Sequence, residues 1–246
     1  LDLPTLAGTL RSLLIYRARP GRMARMRRFY AAFLPAGGLA IDVGAHVGDR
    51  IACFRKLGAR VVAVEPQPHL AALLRRLHGR DRGVVLLDCA LGAEPGVAEL
   101  KVNRRNPTLS TLSTVWAGAV ARSPRFPGES WDGSVQVPVR TLDELIARHG
   151  APDFVKIDVE GFEAEVLAGL SKPVRAVSFE FLPETLPAAL ACLDRLAALG
   201  NYRFQASAGE SFQMALPDWT DADGMRQWLE KLPPGHPGGD VYGRLE

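Results

Sequence analysis

An α/β fold built on a parallel sheet is what this chain of 246 residues predicts, and three observations predict it. Short apolar runs alternate with helix-like segments, carboxylates recur at or near the ends of those runs, and a glycine turn follows the first of them. Strands that alternate with helices across short connections require parallel pairing with right-handed crossovers.

The elements follow in order. Residues 1–37 read as two amphipathic helices broken at Pro20-Gly21 and ended by Pro35-Ala36-Gly37-Gly38, an N-terminal helical extension ahead of a main domain over 38–246. Their apolar side, Leu6, Leu10, Leu13, Leu14, Phe29, Tyr30 and Phe33, is expected to pack on that domain, leaving Arg11, Arg17, Arg19, Arg22, Arg25, Arg27 and Arg28 in water. Leu39 to Val43 is the first strand, Arg50 to Leu57 a helix, Arg60 to Glu65 the second strand, Pro66 to Leu77 a helix, and Val84 to Leu91 the third strand.

Alternation then lapses. Val97 to Val102 and Ser134 to Val139 read as strands bounding an insertion, 103–134, that is either a lid over the strand ends or a surface loop. Thr141 with Glu144 forms a capping box, and its helix runs to His149-Gly150. Asp153 to Gly161 is expected as a fourth strand whose alternation places Lys156, Asp158 and Glu160 on one face. Charges there must face a ligand or each other, since parallel strands are normally apolar on both sides. Val174 to Phe181 is a fifth strand with Glu180 near its end, Leu186 to Leu199 a helix, Tyr202 to Ser207 and Ser211 to Leu216 a strand pair, Asp221 to Leu232 a last helix, and Gly239 to Tyr242 a closing segment.

Composition excludes more than it assigns. Charged residues are 23% and hydrophobic ones 47% of the chain, an ordinary globular balance, and no apolar run reaches the length of a membrane span. With neither a span nor a signal-peptide pattern, a cytoplasmic protein is the default expectation. Cys53, Cys89 and Cys192 are odd in number and lack metal-ligand spacing, so buried free thiols are expected, and no metal. The arginine-rich start could bind nucleic acid or an anionic membrane, but few aromatics interleave to stack on bases, and a solvated helical face is the simpler account.

In open parallel sheets ligands sit outside the carboxyl ends of the strands. Asp42 with Gly44, Glu65, Asp88, Asp158 with Glu160, and Glu180 all stand at or near such ends. Glu65 follows Gly44 by about twenty positions, the reach at which an acid accepts the ribose hydroxyls of a nucleoside cofactor held at the first turn. Gly44-Ala45-His46-Val47-Gly48 lacks the glycine spacing of a dinucleotide site, and no phosphate loop of the Gly-x-x-x-x-Gly-Lys kind exists. Asp42 directly before the turn suits a cationic cofactor, and S-adenosylmethionine fits.

The stretches Ile41 to Asp49, Val64-Glu65-Pro66-Gln67-Pro68, Asp88 to Gly92, Val137 to Asp143, Asp153 to Gly161 with Glu163 and Glu165-Val166-Leu167, and Phe179-Glu180-Phe181 together resemble the FkbM-type methyltransferases, a branch of the class I S-adenosylmethionine-dependent enzymes. Gly239 to Tyr242 is similar to that family's closing segment, whereas residues 1–37 fall outside the likeness. The resemblance implies a Rossmann-like class I methyltransferase fold, a seven-stranded, mostly parallel sheet with one antiparallel strand and helices on both faces. It implies methyl transfer, usually to a hydroxyl of a sugar, polyketide or other natural-product small molecule. It further implies a cofactor site of Asp42, Gly44, Ala45, His46, Gly48, Glu65, Pro66, Asp88, Cys89, Ala90 and Asp158, with the glycines along the methionine part, Glu65 at the ribose and Asp88 at the adenine end. Two departures stand out: the family commonly has Asn where this chain has His46 and Asp88.

Methyl transfer asks the protein to align acceptor, methyl and sulfur, exclude water and remove a proton. Candidate bases are Asp158, Glu160, Glu180 and His46, the last having the most suitable unperturbed pKa. Asp158 and Glu160 could alternatively hold a divalent cation, though two carboxylates with Lys156 nearby make a thin ligand set. A nicotinamide-dependent oxidoreductase and a non-catalytic polyanion adaptor remain as other readings. The sequence does not set the acceptor, nor whether the chain works alone or as a homodimer.

Overall fold

The computed structural model describes residues 2–246. Its central sheet takes five parallel strands from the first three quarters of the chain: β1 (Leu39–Val43), β2 (Arg60–Val64), β3 (Val84–Leu87), β7 (Phe154–Ile157) and β8 (Ala176–Phe181). Two more come from the end, β9 (Tyr202–Ala208) and β10 (Gly239–Leu245), and the order is β3-β2-β1-β7-β8-β10-β9. β10 lies antiparallel to both its neighbours, so the sheet is seven-stranded with one reversed strand, as expected. A second sheet, β4-β6-β5, is formed by β4 (Ala90–Leu91), β6 (Gly133–Arg140) and β5 (Gly96–Val102).

Period-two side-chain alternation divides the interior into two cores. Leu39, Ile41, Val43, Val62 and Val64 face one, which is closed by α6 (Leu142–His149), α7 (Glu163–Ala168), α8 (Leu186–Leu199) and α9 (Ala222–Glu230). Ala40, Val61 and Ala63 face the other, where α2 (Arg22–Tyr30) and α3 (Asp49–Lys56) pack. Tyr30, Phe33, Phe54, Phe154 and Tyr242 interlock there at ring separations of 5.1–6.0 Å, so α2 closes one face of the sheet. The capping box of Thr141 and Glu144 is present, and all three cysteines are buried and free.

Four expectations need correction. The third apolar run is not one strand: β3 stops at Leu87, and Ala90–Leu91 joins the second sheet. β7 ends at Ile157, because Glu160 and Gly161 adopt left-handed backbone angles (φ 55° and 86°), so Asp158 and Glu160 stand on a turn and strand alternation does not align them. Residues 211–216 are not a strand. The partner of β9 is β10, although Ala215 still donates to the Ala206 carbonyl. The helix α1 (Leu3–Arg17) is turned the opposite way from its hydrophobic pattern, with Thr5, Gly8, Thr9 and Ser12 buried and Leu6, Leu10 and Leu14 exposed. Gly8 explains the reversal: a Cβ there would lie 2.7 and 2.8 Å from the Arg104 and Arg105 carbonyl oxygens, so only a glycine face can approach that backbone.

Candidate active site

Strand order reverses beside β1, where β2 leaves on one side and β7 on the other, and a cavity of about 210 Å³ opens at their carboxyl ends. Gly44 begins its floor. Its φ of 84° and the Asp158 carbonyl, which a Cβ would strike, leave no room for another residue. That closeness is fixed by the Asp158 N–H donating to the Val43 carbonyl at 3.0 Å. His46, itself left-handed at φ 48°, turns its N–H onto Glu65 Oε2 at 2.8 Å, while the Gln67 N–H donates to Glu65 Oε1 at 2.9 Å. Glu65 is therefore held open toward the cavity, each oxygen keeping a lone pair for a ligand hydroxyl. Burial raises its pKa to about 7.

Asp42 is 1% exposed and its Oδ2 has no hydrogen-bond partner, although Asp42 lines the cavity. Burial pushes it up to about 7 against the pull of Lys156. A buried carboxylate oxygen left open beside a ligand cavity suits a cationic ligand group, as the ammonium or sulfonium of S-adenosylmethionine is. Opposite stand the turn carboxylates. Lys156, 2% exposed, reaches Asp158 Oδ2 at 2.6 Å and Asp240 Oδ1 at 3.7 Å. Burial disfavours its charge, but the two carboxylates hold the ammonium protonated; burial likewise works against Asp158, and Lys156 reverses that and lowers its pKa. Asp158, Glu160 and Glu180 bring carboxylate oxygens within 4.8 Å of one another. Burial and this crowding raise Glu160 and Glu180 well above the usual carboxylate range.

The insertion is tied to this turn. Thr111 Oγ1 donates to the Glu160 carbonyl at 2.6 Å, and Trp116, 1% exposed on α5 (Thr114–Arg122), packs on Gly161 where any side chain would collide. Across the cavity, Gln67 Nε2 donates to the Pro107 carbonyl at 3.0 Å, and Gln67 Oε1 accepts from the Ser110 hydroxyl at 2.9 Å. A second groove of about 300 Å³ shares Tyr16, Glu160 and Glu180 with the cavity and runs between α1 and the insertion past Ile15, Asn106 and Phe126.

Of the site residues expected from sequence, the cavity wall contains Asp42, Gly44, Ala45, His46, Glu65, Pro66, Ala90, Asp158, Glu160 and Glu180. Gly48, Asp88 and Cys89 lie outside it. Gly48 caps α3, and a Cβ there would meet Leu74 at 2.7 Å, so its smallness serves the packing of α4 (Pro68–His78). The Asp88 side chain, 40% exposed, pairs with Arg75, and Cys89 is buried in the core. Sequence reading missed Tyr16, Arg50, Gln67, Glu210 and Asp240, all on the wall. Asp240, in the closing segment, and Gln67, in the stretch Val64 to Pro68, carried a signal. Arg50 and Glu210 belong to a buried network in which Arg22 reaches Asp49 at 2.7 Å and Glu210 at 2.6 Å, and Arg50 reaches both at 2.6 Å.

The family model described as the methyltransferase FkbM domain matches residues 42–232. The chain belongs to the FkbM methyltransferase family. Membership in a methyltransferase family speaks against the nicotinamide-dependent and non-catalytic readings. Among curated relatives, methyltransferase sdnD of Sordaria araneosa is 30% identical over 164 residues, 57% of this chain and 63% of that protein. Hexuronic acid methyltransferase AglP of Haloferax volcanii is 29% identical over 141 residues, 56% of this chain and 52% of that protein. The chain thus spans less than two thirds of the length of these relatives. Among solved structures, an O-methyltransferase from Bacillus cereus in complex with SAH aligns with a TM-score of 0.47 at 10% identity, over 100% of this chain and 92% of that one. Precorrin-6y C5,15-methyltransferase from Geobacter metallireducens aligns at 0.46 and 12% identity, over 92% and 86%. Among the described residues no helix is long and apolar enough to cross a membrane.

Proposed function

We propose that this methyltransferase acts on oxygen, methylating a hydroxyl of a sugar, polyketide or other small natural product. The observation that carries the reading is the carboxylate cluster at the inner end of the second groove. Glu160 and Glu180 line that groove with Asp158 beside them, and such carboxylates accept hydrogen bonds from a hydroxyl-bearing acceptor. The printed name of the AglP relative, which acts on a hexuronic acid, supports a carbohydrate-sized acceptor.

When bound, S-adenosylmethionine supplies an electrophilic methyl on a sulfonium. Glu65 accepts the ribose hydroxyls, Asp42 faces the cationic amino acid end, and Gln67 with Pro107 and Ser110 closes the adenine side. Glu160 and Glu180, with affinity for protons raised by burial, take the acceptor's hydroxyl proton as its oxygen forms the new bond. Asp158, kept ionised by Lys156, orients that hydroxyl. His46 serves as a wall rather than a base: burial lowers its pKa to about 4, and its Nε2 is enclosed without a partner. The insertion 103–134 acts as a lid, fastened by Thr111 and Trp116, and the second groove selects the acceptor.

The test is methyl transfer from labelled S-adenosylmethionine to a panel of neutral sugars, uronic acids and hydroxylated polyketides, with product stability in mild alkali as the readout. An ether, stable to alkali, is expected, with kcat reduced at least about a hundredfold in Glu180→Gln. An alkali-labile methyl ester or an N-methyl product would overturn the hydroxyl assignment.

A further inference from the structure

The reversed helix α1 leaves Leu3, Leu6, Leu10 and Leu14 at 81%, 43%, 52% and 66% exposure. At 100° per residue these four lie within about 80° of one another on the helix, a continuous apolar stripe. Its orientation is specified: Gly8 abuts the 104–107 backbone, Thr5, Thr9 and Ser12 are buried, and Asp2 caps the first turn through the Thr5 N–H at 2.9 Å. A soluble helix that merely needed covering would have turned its leucines inward. In the same N-terminal segment Arg17, Arg19, Arg25, Arg27 and Arg28 are exposed, Arg17 also donating to the Val47 carbonyl at 3.1 Å, and Asp2 is the one acid among residues 2–30.

We propose that the outer face of α1 docks on an anionic lipid bilayer, leucines in the headgroup–acyl boundary and arginines against the lipid phosphates. Charge complementarity selects this occupant. A second copy of the chain would bring two arginine clusters together, and a nucleic acid would satisfy the arginines while leaving the leucines in water. The helix lies on the surface and does not cross it, in keeping with its fifteen residues. Its inner face, through Ser12, Ile15 and Tyr16, walls the acceptor groove, so docking brings that wall to the membrane. The inference stands whichever acceptor the enzyme uses.

Co-sedimentation with vesicles of phosphatidylcholine alone, and of phosphatidylcholine with one quarter phosphatidylglycerol, tests it, run on the full chain in 0.1 and 0.5 M salt. Binding to the anionic vesicles is expected to exceed binding to neutral ones at least about tenfold and to weaken in high salt. Leu6→Ser with Leu10→Ser and Leu14→Ser should abolish that binding while S-adenosylhomocysteine affinity stays unchanged, which shows the variant folded. Equal binding to both vesicle types, binding that survives the three leucine substitutions, or a lipid-free dimer that those substitutions dissolve would each overturn the assignment, the last giving the face to a second copy.

Discussion

Glu65→Ala separates the cofactor's hold on the site from the site's own integrity. In the wild type the carboxylate spends one lone pair per oxygen on the His46 and Gln67 N–H groups, at 2.8 and 2.9 Å, and keeps the others open to the cavity, where the proposed reading places the ribose hydroxyls. Two charge-assisted hydrogen bonds at about 1.5 kcal/mol each sum to about 3 kcal/mol, roughly a hundredfold in Kd. Truncation also orphans two backbone donors, at about 1–3 kcal/mol apiece, offset in part by removing a carboxylate that burial has raised to about 7. Titration calorimetry with S-adenosylhomocysteine reads the first quantity and urea unfolding the second. Glu65→Gln should do no better than alanine, because its amide must turn an NH2 toward one of the two N–H donors. A folded Glu65→Ala protein that binds S-adenosylhomocysteine within threefold of wild type would refute the role given to Glu65.

Three further outcomes follow from the same geometry. Lys156→Met strands Asp158 and Asp240 and should cost about 3 kcal/mol in urea unfolding, less than for a fully enclosed pair because the Asp158 side chain is 33% exposed; an unchanged midpoint would refute the compensating role. Burial acts to raise both Asp49 and Glu210, but Arg22 and Arg50 hold them below their ordinary values. Their stabilisation is therefore complete above the unfolded carboxylate range and lost as pH falls through the lowered folded values, so Arg22→Ala should destabilise at pH 7 and converge on wild type in acid. Chelation by EDTA should leave turnover intact, because the Lys156 ammonium against Asp158 already offsets part of the cluster's charge; a tenfold loss restored by Mg²⁺ would assign Asp158, Glu160 and Glu180 to a cation.

The sheet was legible because its signals are local: apolar runs of five residues, acids at their ends, and a capping box each occupy one stretch of chain. The glycine turn after β1 was legible for the same reason, and Asp42, Gly44 and Glu65 stand on one cavity. Gly48 misled because a glycine records only that something comes close, and here that is Leu74 of α4. Strand alternation failed for Glu160 because a left-handed residue breaks the period of two. The face of α1 was inverted because leucine spacing states which side is apolar, whereas Gly8 states which side fits. Tyr16, Arg50 and Glu210 reach the cavity from segments far apart in sequence, and no spacing rule joins them.

The position of β10 bears on when the enzyme comes into being. This strand follows β9 in sequence yet separates it from β8, pairing with both over residues 239–245. On the ribosome, β8 and β9 emerge with a gap between them that no earlier strand among the described residues fills, and Lys156 pairs with Asp158 before Asp240 is made. Asp240 arrives with the strand that closes the gap. The carboxyl end of the sheet is thus completed only once residues 239–245 have been made, and a nascent chain stalled before residue 239 would carry the Gly44 turn without the Asp240 side of the cavity wall.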